Sequence, residues 1–202
     1  MREHVPSRVD IREKKILVDD FFKVEEALLS FEKFDGTMSP PVRRLNFERG
    51  DSVAALLHHT GRDAAILVKQ FRYAAYEKGA GWLTEVVAGM IDRGETPEEA
   101  IRREIHEETG YTPDRIEPIS TFFVSPGGTS ERIMLYYAAV SGAAPGDRHG
   151  GLAGENEDIK PVEIFMADAF AKLRRGEFAD AKTIIALMWL EARRGAGTPT
   201  AP

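Results

Sequence analysis

Between Gly89 and Tyr111 the chain carries a helix start, a helix stop and six glutamates, which leaves little freedom in what can form there. Thr96 is a good N-cap, Pro97 suits the first helical position, and Glu99 completes a Thr-x-x-Glu capping box, so the signals predict a helix from Pro97. Gly110 supplies the stop, because glycine takes the left-handed conformation after a last helical turn at no steric cost. At about 100° per residue, Ala100, Ile101, Glu104, Ile105 and Glu108 share one arc, while Glu99, Arg102 and His106 lie opposite. A charge run on a helix is usually a solvated face. Here the acids fall among the residues that must face the core. Carboxylates held there without partners are costly and tend to take up protons. Divalent cations remove that conflict, since hard ions such as Mg²⁺ take oxygen ligands and often bind through one or two carboxylates plus phosphate oxygens.

The full pattern is Gly89, five residues, Glu95, seven residues, Arg103-Glu104-Ile105, one residue, Glu107-Glu108, one residue, Gly110-Tyr111. With each fixed charged or glycine position at roughly 7% frequency, a chance match is on the order of 10⁻⁸ per start, so coincidence is set aside. The pattern resembles the Nudix box, the signature of hydrolases that cleave a diphosphate linked to another moiety. Only Tyr111 departs, being aromatic where an aliphatic residue is commoner. The resemblance implies that Glu104, Glu107 and Glu108 converge on Mg²⁺, with Mn²⁺ as a substitute. It also implies that the loop before the helix comes close at Gly89, so that the carbonyl of Ala88 ligates a metal, and that Arg103 and Glu95 hold loop and helix together by ion pairing.

Composition narrows the class further. The 202 residues, 43% hydrophobic and 30% charged, suit one well-packed domain, alone or with a smaller appendage. A formal net charge of -6 argues against nonspecific affinity for nucleic acid or anionic membrane. No run of about 18 apolar residues occurs, and the start of the chain has no secretory apolar region. The absence of cysteine excludes disulfides and thiol catalysis and fits a cytoplasmic protein.

Extended segments are expected at Lys14 to Asp19, Phe21 to Phe34 and Pro41 to Glu48, with a turn at Asp35-Gly36, and together they read as a small β appendage over residues 1–49. Ser52 to His58 and Ala64 to Gln70, joined by Thr60-Gly61-Arg62-Asp63, read as a hairpin. A strand from Trp82 to Ala88 precedes the acidic helix, and strands near Ile119 to Val124 and Arg132 to Val140 follow it. Gly142 to Gly154, rich in Gly, Ala and Pro, reads as a mobile loop. A strand near Pro161 to Met166 and helices near Ala167 to Arg175 and Ala181 to Arg194 close a domain over 50–194, leaving 195–202 as a disordered tail. Mixed strands with helices at both ends of the order predict an α/β sandwich, a mixed sheet covered by helices, and the Nudix resemblance implies the same α/β/α arrangement.

Outside the box the resemblance is to the ADP-ribose pyrophosphatase and nucleotide-sugar diphosphatase branch. It rests on Gln70-Phe71-Arg72, on Ser125-Pro126-Gly127-Gly128 through Glu131-Arg132, and on Gly154-Glu155-Asn156-Glu157-Asp158. Arg72 ends a strand, where a guanidinium can pair with phosphate in bidentate fashion or serve as an ordinary surface arginine. Pro126, Gly127, Gly128 and Glu131 are substrate-binding candidates, although a plain tight turn is the competing reading of the glycines. By resemblance Glu155 is the general base and Glu157 a further metal contact, whereas acidic loops are commonly just solvated. Arg44, with Arg43, lies in the N-terminal β segment, which in the resembled branch crosses to a partner subunit in a swapped homodimer and helps bind the nucleoside. Its alternative is an edge strand blunted by charge. Phe22, Phe31 and Phe34 can stack on a base or pack a core. His58 and His59 have no ligand-like spacing and receive no role.

The expectation is a Mg²⁺-dependent hydrolase of a nucleoside diphosphate sugar, preferably ADP-ribose, giving AMP and ribose 5-phosphate. Its catalytic candidates are Glu107, Glu108, Glu155 and, through its ion pairs, Arg103; its metal ligands are Ala88, Glu104, Glu108 and Glu157. GDP-mannose or another nucleotide sugar is the alternative substrate, and a sensor that binds without cleaving is the alternative class.

Overall fold

The computed structural model describes residues 5–142 and 158–196, which fall into two compact units. The first takes Met1–Asp51 with Phe123–Arg132, the second Ser52–Phe122 with Ile133–Pro202.

In the first unit β1 (Val9–Asp19), β2 (Lys23–Phe31) and β3 (Val42–Glu48) form an antiparallel sheet in that order. β1 begins at Val9, ahead of the expected Lys14, because Arg8 closes the open end of the hairpin. The Glu32 amide donates to the Arg8 carbonyl at 2.9 Å, and the Arg8 guanidinium donates to Glu32 Oε1 at 2.8 Å. That pairing holds the Glu32 carboxyl down at about 2. β2 starts only at Lys23, since Asp20 to Phe22 make the turn, with the Asp20 amide bonded to the Phe22 carbonyl. Gly36, at φ 79, takes the left-handed position of the next turn. Every residue of β1 is exposed, including Val9, Ile11, Ile16 and Val18.

The second unit is built on a seven-stranded sheet of order β10-β5-β4-β9-β8, with β6 and β7 added beside β5 and β4. The strands are β4 (Ser52–His59), β5 (Ala64–Phe71), β6 (Trp82–Glu85), β7 (Val87–Met90), β8 (Arg115–Phe123), β9 (Arg132–Val140) and β10 (Lys160–Phe165). β4 pairs in parallel with β9 and antiparallel with β5 and β7, so the sheet is mixed. All of β4 is buried, which its near-continuous apolar run already demands of a strand covered on both faces.

Alternation along β4 divides the core. Ala54 and Leu56 pack with Met166 and Ala169 of α3 (Met166–Arg174) and with Ala186, Leu187 and Leu190 of α4 (Ala181–Gly195). Val53, Ala55 and Leu57 pack on the other face with Ala100, Ile101 and Ile105 of α2 (Pro97–Thr109). The result is the expected α/β/α sandwich, and each fully buried Leu or Ile contributes roughly 1.5–3 kcal/mol. α4 runs through Gly195, the first residue of the expected tail over 195–202, and residues 197–202 lie outside the described residues.

Two departures from the sequence pattern matter for the site. The run from Trp82 to Ala88 is two strands: β6 pairs with β5 and β7 with β4, and the chain changes partner at Val86. The β4–β5 hairpin stays paired only from Leu57 to His59 against Ala64 to Ile66, and β6 and β7 fill the gap that opens beyond. At the change the Val86 amide donates to Thr183 Oγ1 at 2.8 Å, and that hydroxyl donates to Asp180 Oδ2 at 2.6 Å. The second departure is a four-residue helix, α1 (Tyr73–Tyr76), directly after Arg72. In the β4–β5 turn Asp63, rather than Gly61, takes the positive φ of 48. Its carboxylate is held there by Arg194 and His58.

Candidate active site

The capping box forms as the sequence predicts: Thr96 Oγ1 accepts from the Glu99 amide, the Glu99 carboxylate accepts from the Thr96 amide, and Gly110 ends the helix at φ 71. Glu99, Arg102 and His106 are exposed, with Arg102 paired to Glu98 one turn away. On the opposite side Glu108 is only 5% exposed, and the Glu104 and Glu107 side chains are 13% and 28% exposed.

Gly89 lies in strand β7, not in a loop as the resemblance implied, because Val53 of β4 pairs with it across the sheet. Its lack of a side chain is a matter of space. A Cβ at Gly89 would stand 1.9 Å from Glu104 Oε1 and 2.0 Å from Glu104 Cδ. The carboxylate of Glu104 occupies the place that any other residue would need. Ala88 precedes it in the same strand, paired with Ala54.

Arg103 organises the acids. Nε and Nη2 donate to Glu95 at 3.0 Å each, Nη2 also to the Met90 carbonyl at 3.1 Å, and Nη1 to Glu104 at 2.8 Å and Glu107 at 3.0 Å. All five guanidinium N–H groups are therefore used. These bonds raise the Arg103 pKa far above its ordinary value, Glu95 contributing most, and the same pairing lowers that of Glu95. The sequence left the inward-facing acids with cations as the remedy; a guanidinium supplies part of it. Four glutamates (Glu95, Glu104, Glu107, Glu108) against one arginine still leave a formal excess of three negative charges.

Among the described residues no three acidic or histidine side chains stand as a ready-made metal cage. The donor set nonetheless fits a hard divalent cation: it offers carboxylate oxygens, a formal excess of acidic over basic groups and a glycine in the strand they lie against. Glu155 and Glu157 lie outside the described residues.

Arg72 follows β5 and caps the start of α1. It donates through Nε to Glu85 Oε2 at 2.9 Å, with Nη2 of the same ion pair 2.9 Å away, and that oxygen also accepts from Gln70 Nε2 at 3.2 Å. The sequence reading missed Glu85, although a carboxylate inside the run Trp82 to Ala88 is itself a signal that a partner must be found. Tyr111, the one departure from the box, is buried and accepts a bond from Arg62 Nη2 at 3.0 Å, which an aliphatic residue cannot do. His58 and His59 are buried polar residues with local partners: His58 bonds Tyr137 and Asp63, His59 the Gly142 carbonyl.

The remaining candidates belong to the first unit. Arg44 is exposed on β3. Pro126, Gly127 and Gly128 form a turn stapled to β3, where the Phe47 amide donates to the Gly128 carbonyl at 2.9 Å and Thr129 Oγ1 to the Phe47 carbonyl at 2.8 Å. A Cβ at Gly127 or Gly128 would meet nothing within 4 Å, so packing does not explain these glycines. Glu131 is buried beside Arg49 at 3.6 Å. Phe22 packs against Phe47 with its ring under Arg49, while Phe34 is exposed.

The second unit thus sets an arginine-centred acid cluster on β7 of a mixed sheet between helices. The Nudix domain family matches residues 48–187, and the chain belongs to that family as a Nudix hydrolase. The ADP-ribose pyrophosphatase of Escherichia coli (strain K12) is 39% identical over 184 residues, covering 91% of this chain and 88% of that protein. The GDP-mannose pyrophosphatase of Pectobacterium atrosepticum is 34% identical over 183 residues, 90% of this chain and 93% of its own. A crystal structure of ADP compounds hydrolase matches with a TM-score of 0.70 over 96% of this chain and 98% of that one; at 20% identity it shows the fold.

Proposed function

We propose that the chain hydrolyses the diphosphate bond of ADP-ribose to AMP and ribose 5-phosphate, with Mg²⁺ or, as a substitute, Mn²⁺. The observation that carries the reading is the seat of Glu104 on Gly89: a strand residue is kept bare so that a carboxylate can lie against the sheet, next to Glu107 and Glu108. Glu104, Glu107 and Glu108, with the Ala88 carbonyl and Glu157, are the residues that would hold the ions. When bound, such cations neutralise diphosphate and lower the pKa of a coordinated water. Arg72 grips a phosphate through guanidinium N–H groups, and Glu155 accepts the proton of the attacking water. Arg103 touches no substrate and keeps the acids in place. Arg44, Pro126, Gly127, Gly128 and Glu131 are further substrate-binding candidates in this reading. The preference for ADP-ribose rests on the likeness to the E. coli enzyme. GDP-mannose is the second reading, favoured by the likeness to the Pectobacterium enzyme.

Residues 1–49 serve a homodimer in this reading and 50–194 carry the chemistry. Support comes from β1, whose whole length is exposed with five aliphatic residues (Val9, Ile11, Ile16, Leu17 and Val18) uncovered, an edge that calls for a cover. Among the described residues no helix is long and apolar enough to cross a membrane. A chain without cysteine suits the cytoplasm.

Incubation with Mg²⁺ and a panel of ADP-ribose, GDP-mannose, ADP-glucose, NADH and dinucleoside polyphosphates tests the substrate by the ranking of kcat/KM. Glu108→Gln is expected to abolish turnover while circular dichroism stays unchanged. Full activity in that variant sinks the metal assignment, and binding without product supports a sensor.

A further inference from the structure

Glu85 is 3% exposed, at the end of β6 and beside Val86 and Val87, which are fully buried. A carboxylate there is costly unless a cation and further donors meet it. Its Oε2 accepts from Arg72 Nε and Gln70 Nε2, and Arg72 Nη2 lies 2.9 Å from it in the same ion pair. The Arg72 side chain is 40% exposed and is gripped along one edge only. Among the described residues its Nη1 donates to nothing else. A guanidinium fixed in this way presents its remaining N–H groups in a set plane. A free arginine side chain would have to surrender its rotamer freedom on binding.

The same short stretch of backbone reaches the acid cluster. Four residues beyond Glu85, Gly89 receives the Glu104 carboxylate, and between them the Val86 amide is pinned to the buried Thr183 hydroxyl. One anchored segment thus sets the direction of Arg72 and the bed of Glu104.

We propose that Glu85 is a positioning residue for diphosphate recognition: it orients Arg72 toward a phosphate of the nucleotide sugar and does not itself touch the substrate. The proposal rests on the diphosphatase reading above. A purely structural ion pair would lower stability when broken but leave Arg72 its own effect on the substrate.

The test is a double-mutant cycle in the full-length protein with Mg²⁺. Glu85→Gln and Arg72→Ala are each expected to lower kcat/KM for ADP-ribose by roughly 10- to 100-fold, the scale of a charge-assisted hydrogen bond. In the Arg72→Ala background Glu85→Gln is expected to cost no more than about twofold further, whatever it does to Tm. In parallel, calorimetry measures Kd for the α,β-methylene analogue of ADP-ribose, which needs no turnover. Should Glu85→Gln fail to fold, Glu85→Asp, which keeps the charge on a shorter stem, carries the same cycle. Full additivity of the two substitutions, or unchanged kcat/KM and Kd in the Glu85 variant, overturns the positioning role. A wild type that binds the analogue but cleaves no substrate overturns the hydrolase reading alone, and the Kd cycle then decides on Glu85. Neither binding nor turnover overturns both.

Discussion

Replacing Gly89 by alanine probes the closest contact in the acid cluster. The new Cβ would meet Glu104 Oε1 at 1.9 Å, whereas ordinary contact begins at 3.4 Å, so the carboxylate must withdraw. The backbone of β7 has little room to yield, because it is paired to β4 along Ser52 to Ala55. Withdrawal breaks the 2.8 Å bond from Arg103 Nη1, a partly buried charge-assisted contact whose loss costs about 1.5–3 kcal/mol. For a chain of this size each kcal/mol lowers Tm by about 2–4 °C. The chemical cost is larger: a misplacement of about 1 Å in a group that positions reactants costs on the order of 10²-fold in rate. Steady-state kinetics with ADP-ribose and a thermal melt by circular dichroism read both effects. A Gly89→Ala enzyme with kcat within a factor of about three of wild type and an unshifted Tm refutes the idea that this glycine is reserved for the carboxylate.

Chelation with EDTA is expected to abolish turnover, and Mg²⁺ to restore it while raising Tm, since a ligand at 100 times its Kd adds about 2.7 kcal/mol; Glu108→Gln should blunt that rise, and an equal rise in the variant speaks against Glu108 as a ligand. Thr183→Val removes the acceptor of the Val86 amide and is expected to cost about 1–3 kcal/mol in urea unfolding, with no loss if the bond is dispensable. His58 has its pKa lowered by burial and by the charge of Arg194, against the opposing bond to Asp63. A folded pKa below the unfolded value gives stability that is fully present above about 6.5 and is lost as pH falls through the folded value. Urea midpoints should therefore fall between pH 7.5 and 5.5, and His58→Gln should flatten part of that slope; an unchanged slope assigns it to other groups.

Local chemistry made some of this architecture legible and hid the rest. The α2 boundaries were readable because Thr96, Pro97, Glu99 and Gly110 act on neighbours within one turn. The buried run of β4 announced a strand covered on both faces. The division of Trp82 to Ala88 was not readable, since the apolar run is continuous and the switch depends on where β5 leaves β4. The acids were found by spacing, but the fivefold grip of Arg103 requires the Met90 carbonyl and Glu95 to arrive from outside the helix. Glu85 escaped notice because its partner lies across a hairpin, and Asp63 because its positive φ is set by the distant Arg194.

The parallel pairing of β4 with β9 bears on how the molecule is made. Ser52 to His59 find Ile133 to Val140 only after the intervening β5 to β8 and α2 have been synthesised. Up to that moment the most fully buried strand of the sheet has a bare hydrogen-bonding edge, and α2, too short to be stable alone, lacks part of the sheet it packs on. Such long-range pairing slows folding and leaves the nascent chain open to association with its own kind. On the ribosome, therefore, the acid-bearing helix gains its full seat only when the strand that completes the sheet beneath it has emerged.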